Sequence, residues 1–414
     1  AVFSEEKLEN PAGPYILVEN TLDAMKKIAA DYRRGLDIKV VGITGSVGKT
    51  STKEMIASVL AQKYNVLKTE GNLNNEIGLP LTIFKIREEH QVAVLEMGIS
   101  EFGEMDRLST MANPDICVIT NIGLCHLENL ITRDGILKAK TESFAHLTPD
   151  GIAVLNGDDD KLCDKKVVNG KPAVFYGIEK AAKVAETEEG TKTLAEKTVY
   201  ATNVEAVDLT GTKAAIHYPS KETGGEVTME VTIPIAGEHN VYNALAAIAV
   251  SLENGISMDA IRVGLAHFTG TNRRFEKKGE VNGFTIIDDY AHHPHEIEAT
   301  LKTAQNYPHK TLWCIFQPHT YTRTKAFLPQ FAEALSLADK VILADIYAAR
   351  ETDTLGISSE DIVKLLKEKG KEAWYLPTFD EIEKFVMEHC TQGDLLITMG
   401  AGDVVNVGEN LLAK

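Results

Sequence analysis

From residue 39 onward, compact apolar runs alternate with stretches in which apolar positions recur every three or four residues. The first pattern reads as buried strand and the second as amphipathic helix. Strands are expected at 39–43, 92–97 and 116–121, and helices at 50–63 and 133–146, with Met55, Ile56, Val59 and Leu60 on one face of the first helix. Residues 178–230 change character, becoming polar and rich in Lys, Glu and Thr, with short alternating pieces such as TMEVTIPIAG. They predict antiparallel strands on the flank of a parallel sheet. HNVYNALAAIAVSLENGI (239–256) predicts an alanine-rich helix stopped by Gly255.

A second run of the same kind begins near Arg274. FTIIDDY, TLWCIFQP, KVILADIY, EAWYLP and DLLITMG are strand-like, each followed by a helical segment, which predicts a doubly wound, Rossmann-like sheet. In the first 38 residues only one strand and one helix are legible, within YILVENTLDAMKKIAADYRRG. The fold class is therefore α/β, with a central domain built on a mostly parallel sheet (39–272) and a Rossmann-like C-terminal domain (273–414). The leading segment, 1–38, is too short for a domain and is expected to be the tail of one.

Composition narrows the classes. The net charge is −17, and with no Lys/Arg-rich run the electrostatic footprint of nucleic-acid binding is missing. No apolar stretch approaches bilayer length, so membrane insertion is not expected. No secretory leader is expected from this sequence, although it opens at Ala1 without a methionine, so its true start is expected to be missing. Its five cysteines (Cys117, Cys125, Cys163, Cys314, Cys390) are scattered and never spaced C-x-x-C, which argues for free thiols in a reducing cytoplasm and against a zinc site.

Chemistry first appears in VVGITGSVGKTSTKEM (40–55). Counting back from Gly48 places Ile43 where the general phosphate-loop pattern has glycine, so that pattern misses by one. The physics still fits: a buried strand, a Gly/Ser/Thr turn from Thr44 to Ser51, and a helix whose positive end and free N–H groups face an anion. The central domain is thus expected to be a P-loop ATPase domain. Glu96 ends one buried strand, and Asn121 and His126 follow the next, at the edge where open α/β sheets bind ligands. A carboxylate and an imidazole beside Thr50 suit Mg²⁺. The cluster HHPH (292–295) could bind zinc, but its place at a strand–helix junction favours helix capping or a nucleotide contact. MGAGD (399–403) lacks a third glycine and reads as a tight turn.

Six segments in order, ITGSVGKTSTKEM, GNLNNEIGLPLTIF, LEMGISEFGEMDRL, PDICVITNIGLCHL, ILKAKTESF and GEHNVYNALAAIAV, resemble the Mur ligases of bacterial cell-wall synthesis, and the likeness covers residues 15–414. Those enzymes use ATP to join an amino acid or dipeptide to a UDP-linked muramoyl precursor. The resemblance implies that Thr44, Gly45, Ser46, Gly48, Lys49, Thr50 and Ser51 hold the ATP phosphates, with Lys49 on the β/γ oxygens. It implies Mg²⁺ held by Thr50, Glu96, His126 and Lys140, the last as a carbamate formed with CO₂, so that Lys49, Lys140 and His126 are the expected catalytic residues. Asn243 would contact adenine, Arg274 the nucleotide, and Asp288 or Asp289 the ribose. Asn72, Asn74, Asn75, His292 and Arg323 would bind substrate. Residues 1–38 would be a remnant of the N-terminal domain that holds the UDP substrate.

Within that family the two halves point differently. The first half, through the Asn-rich GNLNNEIGLP, most resembles members that add D-alanyl-D-alanine to a UDP-N-acetylmuramoyl-tripeptide. The third domain, through DDYAHHPHE and FQPHTYTRTKAF, resembles members that add L-alanine to UDP-N-acetylmuramate. The longer matches lie in the first half, so D-alanyl-D-alanine is the expected amine and L-alanine the alternative. A P-loop kinase or motor-type ATPase and a non-catalytic binding protein are the readings outside the family.

Overall fold

The computed structural model describes all residues except 1, 126, 188–189, 208–210, 221–222, 236, 269 and 353–354, and also omits the side chains of 127 and 128. The chain divides into two compact units, residues 1–269 and 270–414.

The first unit is built on strands β1 (Lys39–Thr44), β2 (Val66–Lys68), β3 (Val92–Glu96), β4 (Ile116–Ile119), β5 (Ile152–Asn156), β6 (Val174–Ile178), β7 (Val199–Val207), β8 (Gly211–Pro219) and β9 (Glu226–Ile233). They form one sheet in the order β9-β8-β7-β6-β5-β4-β1-β3-β2. Pairing is parallel from β2 through β7, and β8 and β9 add to the β7 edge antiparallel. The expected antiparallel flank is therefore present in β8 and β9, whereas β7 still pairs parallel with its inner neighbour.

Both faces of the parallel strands are apolar, as helices on each side require. Val41, Ile43, Val92, Val94 and Val118 pack under helices α2 (Lys49–Leu60), α5 (Glu238–Glu253) and α6 (Met258–Ala266). Val40, Ala93, Leu95, Cys117 and Ile119 pack under α1 (Thr21–Arg34), α3 (Glu104–Ala112) and α4 (Arg133–Thr141). The helix expected over 133–146 is α-helical only to Thr141 and continues as a 3-10 turn, Glu142–His146. Ser143 Oγ donates to the Lys140 carbonyl (2.9 Å) and Thr141 Oγ1 to that of Leu137 (2.8 Å), hydroxyl bonds that compete with the helical ladder. Residues 1–38 contain a parallel pair, Val2–Ser4 with Tyr15–Leu17, as well as α1. Helix α1 belongs to this unit: its buried Arg33 donates from Nε to the Ala112 carbonyl at the end of α3 (3.2 Å).

In the second unit β11 (Phe284–Asp289), β15 (Leu395–Met399), β12 (Leu312–Phe316), β13 (Lys340–Leu343) and β14 (Glu372–Tyr375) lie side by side, all parallel. Apolar clusters cover both faces, the arrangement expected from the sequence. One strand was not expected: β10 (Glu276–Val281) pairs antiparallel on the β11 edge. Its sequence, EKKGEV, has no buried run, so its conformation comes from pairing rather than from burial.

Candidate functional site

Strand β1 ends at the buried Thr44, and the chain turns through Gly45–Gly48 into α2. Gly48 is the N-cap, with φ 84°, and no side chain caps the helix. The first-turn N–H groups of Lys49, Thr50 and Ser51 precede the first helical bond, from Thr52 N to the Gly48 carbonyl (2.9 Å). They therefore point at whatever lies before the helix. Gly45 has φ 151°, and a Cβ there would sit 1.9 Å from Thr120 Oγ1. Only glycine fits, because the loop is pressed against residues 120–123.

That contact is dense. Ser46 N–H donates to the Asn121 carbonyl (3.0 Å), and Val47 N–H donates to Asn121 Oδ1 (2.9 Å). Asn121 Nδ2 (3.0 Å) and Thr120 Oγ1 (2.6 Å) both donate to the Val47 carbonyl. Asn121, expected at the ligand-binding edge of the sheet, grips the loop at both ends of its amide.

Two lysines converge on the loop. Lys49 Nζ donates to the carbonyls of Gly45 (2.9 Å) and Ser46 (3.2 Å), and Lys140 Nζ from α4 donates to Gly45 as well (3.0 Å). Lys140 is 1% exposed. Burial, and then the neighbouring charge of Lys49, pushes its amine down to about 7. A substantial neutral fraction at physiological pH follows, as nucleophilic attack on CO₂ requires.

Glu96, 1% exposed, accepts at Oε1 from Asn74 Nδ2 (2.8 Å) and from Thr50 Oγ1 (3.3 Å). Its Oε2 is buried and has no hydrogen bond among the described residues, with the ammonium of Lys53 at 3.7 Å. Thr44 Oγ1 is likewise buried, with no hydrogen bond among the described residues. A carboxylate oxygen with lone pairs to spare, beside the hydroxyl of the first helical turn, fits a hard cation that takes few protein ligands. Thr50 and Glu96 are thus brought together, and Lys140 reaches the same loop from the opposite helix layer. His126 lies outside the described residues.

Asn72 is exposed in the loop preceding the helical turn Gly78–Ile83. Asn75 Oδ1 accepts from the N–H groups of Ile77 (3.1 Å) and Gly78 (2.8 Å), capping that turn. Asn243 is buried and both ends of its amide are engaged, with Oδ1 accepting from Thr52 Oγ1 (2.9 Å) and Nδ2 donating to Asn240 Oδ1 (3.1 Å). It braces α2 from α5, where an adenine contact was expected. Lys53, which the sequence reading passed over, is wholly buried and donates to the Thr69 carbonyl (2.6 Å). Its signal was a lysine in register with the buried face of α2.

In the second unit the expectation for Asp288 is corrected. It is 0% exposed and holds Arg273 Nε (2.8 Å) and Thr398 Oγ1 (2.7 Å), so it anchors the strand end rather than facing a ribose. Arg273 also donates to the carbonyls of Gly400 (2.7 Å) and Gly402 (2.9 Å), a structural role the sequence reading missed by attending to the second arginine of the pair. Asp289 accepts from Phe275 N–H and Ala291 N–H, each at 2.7 Å, and burial raises its carboxyl to about 6. Arg274 sits over the Tyr290 ring (5.4 Å), and its guanidinium makes no hydrogen bond among the described residues. His292 Nδ1 contacts the Tyr290 carbonyl (3.0 Å), and its ring lies 6.0 Å from that of His319, which meets Arg323 Nη1 at 3.5 Å. His293 caps the helix Pro294–Gln305. No group of three metal-ligating side chains occurs among the described residues.

The Mur ligase middle domain family matches residues 43–251, and the Mur ligase glutamate ligase domain matches 273–402. The chain belongs to the Mur ligase family. Members are ATP-dependent ligases that form a C–N bond and release ADP, and this chain is an enzyme of that class. The UDP-N-acetylmuramate–L-alanine ligase of Agathobacter rectalis is 42% identical over 378 residues, 90% of this chain and 75% of that protein. Among solved structures, MurF from Acinetobacter baumannii superposes with TM-score 0.80 at 26% identity, covering 100% of this chain and 84% of that one. The MurF ligase of Thermotoga maritima in complex with ADP gives 0.77 at 26% identity, covering 99% and 88%. No described helix of this Mur ligase is long and apolar enough to cross a membrane.

Proposed function

We propose that this ligase joins L-alanine to the free carboxylate of UDP-N-acetylmuramate in the cytoplasm, at the expense of ATP. The observation that carries the reading is the 42% identity to an L-alanine-adding relative along 90% of the chain. It favours the alternative over D-alanyl-D-alanine addition, which the sequence placed first. ATP phosphates would be held by the first-turn N–H groups of α2, and the Lys49 ammonium would supply charge to the β/γ oxygens. Thr50 and Glu96 would hold Mg²⁺, with His126 and carbamylated Lys140 as the further expected ligands, and the cation would neutralise charge on the transferred phosphoryl group. An acceptor carboxylate oxygen attacks the γ-phosphorus, releasing ADP and leaving an acyl phosphate. The amine then attacks that carbonyl, phosphate departs, and the amine loses a proton as the amide forms. Arg274 is assigned to the nucleotide, and His292 and Arg323 to the amine substrate. Asn74, already on Glu96, links the Asn-rich loop to the acceptor side.

A second reading, D-alanyl-D-alanine addition to a UDP-muramoyl tripeptide, is favoured by the TM-score of 0.80 to MurF. Phosphate release measured with each acceptor–amine pair separates the two. Turnover with UDP-N-acetylmuramate and L-alanine, and none with tripeptide and dipeptide, is the expected result; the converse overturns it.

A further inference from the structure

The loop that receives phosphate has little internal scaffolding, and most of its bonds run outward to residues 120–123. Besides the grip of Asn121 and Thr120 on Val47, Gly123 N–H donates to Ser46 Oγ (2.9 Å) and Thr120 N–H to the Thr44 carbonyl (3.0 Å). Yet residues 120–123 lie beyond the end of β4 and have no ladder of their own. Something else must hold them.

At their centre is Ile122, 1% exposed, and both of its backbone groups are taken by side chains from other segments. Its N–H donates to Asp159 Oδ2 (2.7 Å), and its carbonyl accepts from Arg133 Nε (3.0 Å). Asp159 is itself fixed, since Oδ1 accepts the N–H groups of Lys161 (2.9 Å) and Leu162 (3.1 Å) in the turn after β5. Arg133 opens α4, the helix that carries Lys140, and its Nη1 donates to Asp160 Oδ2 (3.0 Å).

We propose that Asp159, Arg133 and Asp160 form a positioning clamp on the Ile122 peptide that sets the geometry of the phosphate-binding loop through Asn121. Their effect passes along the backbone for one residue and then through the Asn121 amide to both polar groups of Val47. The same clamp ties the start of α4 to the segment that faces the loop, so Lys140 and the loop are placed from a common anchor. Buried carboxylate–amide contacts of this kind hold a backbone more tightly than neutral bonds do.

The inference rests on reading 44–51 as the ATP phosphate loop, and its test separates the two. ADP binding by calorimetry and amide exchange at 45–48 are measured on the full chain for wild type, Asp159→Asn, Arg133→Met, Asn121→Ala and the pair Asp159→Asn/Asn121→Ala. Asparagine at 159 faces three N–H donors with only one oxygen, so it cannot keep all of them. The expected result is ADP affinity about tenfold weaker in Asp159→Asn and Arg133→Met. Faster exchange confined to 45–48 and 120–123 is expected with it, and a double variant no worse than the more affected single one. Unchanged ADP affinity and unchanged loop exchange in folded Asp159→Asn and Arg133→Met would overturn the clamp. So would exchange that rises evenly across the sheet with additive effects, the signature of a purely structural role. Should Asp159→Asn fail to fold, Asp160→Asn, which loosens only the Arg133 fork, decides by the same readouts. Absence of ADP binding in wild type would overturn the loop assignment instead, while loop exchange in the variants still judges the clamp.

Discussion

Replacing Gly45 by alanine tests how tightly the loop is moulded against its neighbour. The new Cβ would lie 1.9 Å from Thr120 Oγ1, and 3.1 Å from Thr120 N, a backbone atom that cannot swing away. At φ 151° an L residue is also strained, by about 1–3 kcal/mol. Moving the Thr120 hydroxyl aside breaks its bond to the Val47 carbonyl, worth about 1 kcal/mol. Together these give a destabilisation of about 2–4 kcal/mol. Urea unfolding followed by circular dichroism measures it, with Thr120→Ala and the double variant alongside. Because the hydroxyl bond is lost only once, the double variant should be no less stable than Gly45→Ala. A Gly45→Ala protein within about 0.5 kcal/mol of wild type, or strictly additive losses, would refute the claim that the loop is packed on residue 120.

Lys49→Ala should leave the fold intact and lower ATP turnover on the order of 10²–10³-fold, read by phosphate release, because one charge on the phosphoryl group is gone. In Lys140→Ala, acetate should partly restore activity by replacing the carbamate; full activity without it removes Lys140 from the site. Lys140→Met should raise stability below about pH 7, by up to about 5 kcal/mol less the lost Gly45 bond. The folded amine binds its proton less tightly than the unfolded one, so the wild-type penalty is full below pH 7 and fades as pH rises toward 10.5, which denaturation across that window would show. Arg273→Ala strands the buried Asp288 carboxylate and should destabilise the second unit by about 3–5 kcal/mol. The fluorescence of Trp313 and Trp374, the two tryptophans of the chain, reports it directly.

The order of strands and helices was legible because parallel strands buried on both faces leave unbroken apolar runs, as in Val40–Ile43 and Val92–Leu95. The phosphate loop was legible for a similar reason: its glycines, Lys49 and Thr50 are local in sequence, and so is the helix end they create. The family followed from those segments, but the amine did not. The two halves of the chain carry signals of different members, and a relative matched along 90% of the chain favours L-alanine where the Asn-rich segment favoured D-alanyl-D-alanine. What only tertiary structure decided was which polar side chains are free. Arg273 and Arg274 are neighbours in NRRFE, yet one is locked to Asp288 and two carbonyls while the guanidinium of the other lies over the Tyr290 ring with no hydrogen bond among the described residues. Asn121 and Asn243 look like ligand contacts by position and are instead fastened to the loop and to Thr52. Lys140 is an ordinary helix lysine until the fold buries it beside Gly45 and Lys49 and its amine falls toward neutrality. Periodicity records which face of an element is buried; hydrogen-bond partners dozens of residues away, and the desolvation they impose, are set only when the layers close.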